Sequence, residues 1–317
     1  MNNTISIISL SKLPDYYEEV IRIIEQELAY SADNSYERDF YPLVNSNNWE
    51  NCFLIFLNQN LIGHIGIREI NFTLKDIKLP VLFLGGICIK KEYQGRGLFK
   101  LAFTDVLKKF QHQHALHFLW SGHQELYKKF HFYEVGQIFQ TGNDNFVNLQ
   151  SFSHKKLNML SIDEKEFLLH CYKNSFSQYV KVDRSPQDWE NIFQMSSVDV
   201  FFQLKDQKKI GYFLINKGQD LQDIIHEIGA IDEFSLSQLI EENEKFKLWL
   251  PNPLHHLESS TTLFLGQVRI ENFSLLNDWL QKLNIAPLSE QKSLEENTRE
   301  LFQANNLIFY IPGVDSI

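Results

Sequence analysis

Hydrophobic residues recur at three- and four-residue steps through Leu13, Tyr17, Val20, Ile21, Ile24 and Leu28, with Glu18, Glu19 and Glu25 on the other side. That spacing predicts an amphipathic helix opened by Ser11 and Pro14. CFLIFL (52–57), a polar Asn58-Gln59-Asn60 turn and LIGHIGIREI (61–70) then read as two antiparallel strands. LPVLFLGGICI (79–89) is apolar without alternation, the pattern of a strand covered on both faces. Beyond KKEYQGRG, one helical stripe collects Phe99, Ala102, Phe103, Val106, Leu107 and Phe110. Strand ALHFLWS (115–121), short helix QELYKKF (124–130) and strand FYEVGQIF (132–139) follow. Helices interleaved with the later strands predict an α/β fold, a mixed central sheet flanked by helices.

The second half restarts the plan. Ser161 and Glu164 form a capping-box signature ahead of a helix carrying Phe167, Leu168, Cys171 and Tyr172. DVFFQL (199–204) and KIGYFLIN (209–216) flank another polar turn, and DIIHEIGAI (223–231) takes the place of the third strand. A helix SLSQLIEENEKF and a strand KLWLP come next, yet the connection after Ile231 holds no glycine. The repeat suggests tandem domains with a degenerate second copy. The expected division is a first domain at 1–150, a copy at 151–262 and a C-terminal extension at 263–317. The extension reads as strand TLFLGQVRI, helices near 273–283 and 290–303, and an apolar end, LIFYIPGVDSI.

Composition agrees with two ordinary cores: 317 residues, 44% hydrophobic and 22% charged, with 14 Gly and 8 Pro. A net charge of −10, most of it in the second half, argues against a phosphate-tracking nucleic-acid surface and favours cationic ligands. Cys52, Cys88 and Cys171 are too scattered for a disulfide framework or a zinc knuckle, so a reducing cytoplasm is expected. The first residues lack a secretory pattern, and the longest uncharged apolar run, Leu79 to Ile89, is too short to cross a bilayer.

Chemistry concentrates where the third strand ends in Gln94-Gly95-Arg96-Gly97-Leu98-Phe99 and a helix begins. Main-chain N–H groups at such a helix start have no internal acceptors and can hold a diphosphate, helped by the helix dipole. The turn is neither a P-loop nor a dinucleotide fingerprint. It resembles the acetyl-CoA signature of the GCN5-related N-acetyltransferase (GNAT) superfamily, Gln/Arg-x-x-Gly-x-Gly/Ala, with Phe99 in place of the final small residue. Tyr127-Lys128-Lys129-Phe130-His131-Phe132 is similar to the family's Tyr-x-x-x-Gly-Phe, with His131 in the glycine position.

The resemblance implies that main-chain groups of Ile87, Cys88 and Ile89 receive the pantetheine arm, that Gln94, Gly95, Arg96, Gly97, Leu98 and Phe99 hold the pyrophosphate, and that Tyr127 is the general acid. The two-copy layout looks like the tandem subgroup that includes the enhanced intracellular survival (Eis-like) acetyltransferases, which makes the terminal carboxylate of Ile317 a candidate base. The implied reaction is direct transfer of acetyl from acetyl-CoA to a primary amine, a small cationic amine or a lysine-bearing peptide, releasing CoA, with no metal. The alternative is a CoA-binding scaffold that kept the fold without turnover. The oligomeric state stays open.

Other residues invite chemistry and are read as structural. His112, His114 and His117 are expected as solvated loop histidines, Cys88 as an inert packing thiol, and the paired lysines at 90–91, 108–109 and 128–129 as a solvated rim. Glu69 and His123 are expected at the surface or as loop caps. His226 and Glu227 should point to opposite faces of their strand.

Overall fold

The computed structural model describes residues 5–147, 152–252, 261–303 and 307–317; the expected boundary at 150/151 lies outside them. β1 (Ile5–Ser9) leads to α1 (Tyr17–Glu27), two one-turn helices α2 (Tyr36–Asp39) and α3 (Tyr41–Val44), and the antiparallel strands β2 (Cys52–Leu57), β3 (Asn60–Leu74) and β4 (Ile77–Ile89). Then come α4 (Leu98–Lys109), β5 (Leu116–Leu119), α5 (Gln124–Lys128), β6 (Tyr133–Val135) and β7 (Ile138–Gln140).

The second half supplies β8 (Phe152–Lys156), α6 (Ile162–Asn174), β9 (Val180–Val182), α7 (Pro186–Ile192), β10 (Asp199–Lys205), β11 (Lys208–Ile215), β12 (Ile225–Ala230), α8 (Glu233–Asn243) and β13 (Trp249–Leu250). The chain ends through β14 (Thr261–Leu263), β15 (Gly266–Ile270), α9 (Phe273–Lys282), α10 (Leu294–Gln303) and β16 (Phe309–Tyr310).

Among the described residues the principal sheet runs β1-β2-β3-β4-β5-β15-β6, with β9 on the far end of β3 and β16 on β9. β4 and β5 are parallel and the other neighbours along the main path antiparallel. β4 is apolar on both sides because it is buried on both. Val81 and Phe83 pack with α1 and α9, while Leu82 and Leu84 pack with Ala102, Phe103 and Val106 of α4. A second sheet, β12-β11-β10-β8, sits between α6 and α7 on one face and α8 on the other.

The two hairpins turn alike: Asn58 and Gln59 have φ of +48° and +71°, and Asp206 and Gln207 +49° and +64°. Successive left-handed residues are what a two-residue hairpin connection needs. The capping box at Ser161 and Glu164 is present.

Two expected strands are each two strands in different sheets. FYEVGQIF breaks at Gly136, φ +68°, where a Cβ would stand 2.6 Å from the Leu265 side chain; β6 stays in the main sheet and β7 joins β13 and β14 in a third, small sheet. TLFLGQVRI likewise divides into β14 in that small sheet and β15, which inserts between β5 and β6 of the first-half sheet. No helix among the described residues is long and apolar enough to cross a membrane.

Candidate active site

β4 and β5 pair only from Val81↔Leu116 to Leu84↔Leu119 and then part. On the other edge of β4 the register with β3 shifts between His64 and Gly66, and Gly86 takes φ +57°. The bulge and the parting strands leave main-chain groups of residues 85–89 facing a cavity of about 850 Å³. Ile87, Cys88, Ile89, Gln94, Gly95, Gly97, Leu98, Phe99, Tyr127 and Ile317 all line it.

The turn into α4 leaves its first helical amides uncapped. Gly97 caps the helix at φ +75° without any side-chain cap, so among the described residues the first amides of α4 find no acceptor. Gly95 has φ +73°, and a Cβ on either glycine would meet nothing within 4 Å, so open space stands in front of them. Gln94 braces the turn by donating from Nε2 to the Ile89 carbonyl at 2.8 Å, and Glu27 accepts the Lys91 amide at 3.1 Å. Arg96 does not line the cavity; its guanidinium donates to the Glu92 carbonyl at 2.7 Å and lies over the Tyr93 ring. Phe99, the departure from the signature, stacks on Phe103 and meets Tyr127 edge-on with ring centroids 6.0 Å apart.

Tyr127 is buried, and that burial raises its phenol well above the ordinary value; the neighbouring Ser121 hydroxyl pulls slightly the other way. It is therefore a proton carrier at neutral pH. His64 donates from Nδ1 to Gly86 O at 2.8 Å, and burial lowers it to about 4, so it is neutral and fixes the bulge. Burial pushes the Cys88 thiol up to about 12, in keeping with an inert packing residue.

The tail is threaded into the same cavity. A Cβ on Gly85 would stand 2.5 Å from the Ile317 carbonyl carbon, so only glycine allows this approach. Lys217, fully buried, donates to Gly313 O at 2.8 Å, Ser316 O at 2.5 Å and Ser316 Oγ at 3.0 Å. Deeper, Arg184 is ion-paired with Asp315 at 2.8 Å and with Glu227, and stacks over Tyr172. Breaking one partner of a buried pair strands a charge, so this network holds the tail firmly.

The reading of two histidines needs correction. His114 and His117 are buried rather than solvated: His114 Nε2 pairs with Glu69 at 3.1 Å, and burial takes His117 down to about 3. Among the described residues no group of three or more His, Cys, Asp or Glu is placed to hold a metal ion. Glu69 does not line the cavity; His123 does. His226 and Glu227 are both buried, His226 Nε2 donating to Asn216 O at 2.7 Å and Glu227 serving the Arg184 network. None of the paired lysines lines the cavity.

The sequence reading missed the remaining walls: Tyr30, Tyr36 and Phe40 from the first half, and Lys217, Asp220, Trp249 and Phe264 from the second. Among the described residues the Tyr36 hydroxyl is buried without a partner, and a Cβ on Gly86 would lie 2.8 Å from it.

Comparison with known proteins places this geometry. Residues 17–134 match the acetyltransferase (GNAT) family model. The GNAT-matching region thus runs from α1 to β6 and includes the Gln94–Phe99 turn and Tyr127. No curated protein matches the sequence significantly. Among solved structures, a GCN5-related N-acetyltransferase from Anabaena variabilis is similar at a TM-score of 0.57 and 16% identity, over 86% of this chain and 74% of that one. Eis1 from Mycobacterium abscessus is similar at 0.52 and 14%, over 84% and 72%. A Saccharomyces cerevisiae N-myristoyltransferase with bound myristoyl-CoA is similar at 0.50 and 10%, over 79% and 74%. At these identities the likeness is one of fold. The family match over residues 17–134 supports acyl transfer as the general chemistry.

Proposed function

We propose that the protein transfers an acetyl group from acetyl-CoA to a primary amine by direct attack. The observation that carries this reading is the shared cavity: an uncapped helix start, the open edge of β4, a protonated Tyr127 and the Ile317 main chain all border it. The residues present fit acetyl-CoA, since the amides of α4 lack acceptors and the glycines leave room for a diphosphate. Acetyl-CoA supplies an activated thioester.

In this reading Gly95, Gly97, Leu98 and Phe99 hold the diphosphate through main-chain amides on a turn braced by Gln94, and Ile87, Cys88 and Ile89 receive the pantetheine arm. N–H groups at the bulge steady the developing oxyanion. Tyr127 gives its proton to the departing thiolate. The carboxylate on Ile317 takes the proton from the incoming ammonium, with Lys217 holding Ser316 beside it. We further read residues 1–150 as the catalytic copy, 151–262 as a degenerate copy and 263–317 as an extension. The matching turns at Asn58-Gln59 and Asp206-Gln207 and the strand triplets β2-β3-β4 and β10-β11-β12 support that reading.

The test is thiol release from acetyl-CoA with a panel of amines. Tyr127→Phe should lower kcat by roughly 10²-fold while calorimetric affinity for CoA holds. One alanine added after Ile317 should lower kcat comparably. Tight CoA binding with no amine-stimulated release would leave the scaffold reading instead.

A further inference from the structure

The cavity has a second character that the acyl-transfer chemistry does not require. One wall is formed by Trp120, Ile138, Trp249, Leu263, Phe264 and Ile311. Trp120 Nε1 donates to Leu265 O at 2.7 Å, and Trp249 Nε1 to Gln140 Oε1 at 3.2 Å. Both indole N–H groups are therefore used within the protein, and the side chains of this wall offer a ligand apolar surface. Phe264 is 62% exposed and stands beside Trp249 and Leu263 on the cavity lining, so its ring is open to a ligand there.

The charges on the cavity point the same way. Glu27 and Asp220 line it, and Lys217 is the lysine or arginine that does so among the described residues. All three ammonium protons of Lys217 are committed to Gly313 and Ser316, which leaves it no donor for a ligand carboxylate or phosphate. Four of the six wall residues come from beyond residue 240, whereas every residue assigned above to the donor lies between 87 and 99.

Resting on the acetyl-transfer reading, we propose that the acceptor is an amphipathic primary amine, an ammonium head on an aromatic or alkyl body, whose body lies on this wall. A hydrophilic polycation has no apolar body to bury on this wall, so it forgoes the gain that an alkyl or aryl group makes there, and Glu27 and Asp220 serve the ammonium head of either kind of amine. An arylalkyl body covers Phe264 and Trp249, and burying a ring of that size corresponds to roughly a 10- to 100-fold gain in kcat/KM.

The experiment compares tryptamine and octylamine with spermidine and kanamycin at saturating acetyl-CoA, and measures octylamine and spermidine binding calorimetrically in the presence of CoA. The apolar amines should be preferred at least about 10-fold in both measurements. Phe264→Ala, at a site exposed enough to tolerate truncation, should remove most of that preference, leave the spermidine value within about two-fold and leave CoA affinity unchanged. Trp249→Phe, which keeps a ring, should retain it. Equal use of spermidine and tryptamine, or an equal loss for every amine in Phe264→Ala, overturns the inference. So does a Phe264→Ala change confined to the preference between octanoyl-CoA and acetyl-CoA, which would assign the wall to the donor. If CoA fails to bind, the acetyl-transfer reading fails instead, and octylamine calorimetry on the free protein still decides the wall.

Discussion

The two halves of the chain pass from the third strand of an antiparallel triplet into a helix by opposite means. Between β4 and α4, Gly95 and Gly97 hold left-handed φ and leave the amides of α4 bare. Between β12 and α8, Asp232 in extended conformation accepts the Ser235 amide at 2.7 Å with its own carboxylate. One helix start is completed from within the chain, and the other is the start that the proposed reading gives to an outside anion. The lesson is that an N-terminal cap and an anion site are the same set of unsatisfied amides, used differently.

Reversing the first half toward the second should have the largest effect. Gly97→Glu forces a side chain onto a φ of +75° and puts a carboxylate where the amides of α4 converge. Calorimetric affinity for acetyl-CoA should fall at least about 100-fold, with Gly97→Ala showing only the smaller part due to strain. Wild-type stoichiometry should be one CoA per chain, since Asp232 already occupies the corresponding amides.

The strand glycines make a second contrast. Gly85 gives way to Ile317, whereas a Cβ on Gly229 of β12 would meet the Tyr212 ring at 2.7 Å. Gly85→Ala should displace the tail end and lower kcat by roughly 10-fold with CoA affinity retained. Gly229→Ala should instead lower thermal stability by overpacking and leave the kcat of the folded fraction unchanged.

The strong local signals were readable: the paired hairpin turns, the capping box at Ser161 and the glycine turn ahead of Phe99 each use a few adjacent residues with a fixed conformational meaning. What escaped depends on distant partners. Nothing local in GQVRI says that it pairs with β5 and β6, more than a hundred residues earlier. Unbroken β-character in FYEVGQIF hides the change of sheet at Gly136. His114 and His117 straddle a helix end and a strand start and so read as loop residues, but β5 and its neighbours bury both rings. Tyr36, Trp120, Lys217 and Phe264 carry no motif, because their meaning arises only where the halves enclose one cavity.

A smaller, pH-dependent effect should separate the tail clamp from the rest of the second half. Burial depresses the Lys217 ammonium to about 7, while the unfolded chain keeps it near 10.5. Between those values the unfolded state binds the extra proton, so stability attributable to this residue rises as pH increases from about 7 toward 10.5 and is flat outside that window. Tm measured across that range should climb more steeply in the wild type than in Lys217→Met.

The smallest effect should come from the cap that distinguishes the second helix start. Asp232→Ala removes the acceptor for the Ser235 amide, and water at this exposed end replaces it in part. Tm should drop by roughly 2 °C with acetyl-CoA affinity and kcat unchanged, because α8 borders the second sheet and none of its residues lines the cavity. Asp232→Gly should cost less than alanine, since glycine is the milder replacement at an N-cap, and it should still bind no second CoA. A second binding event in that variant would mean that bare amides alone make the site. Its absence would mean that the open edge of β4, with Gly86 and the parted β5, is also required.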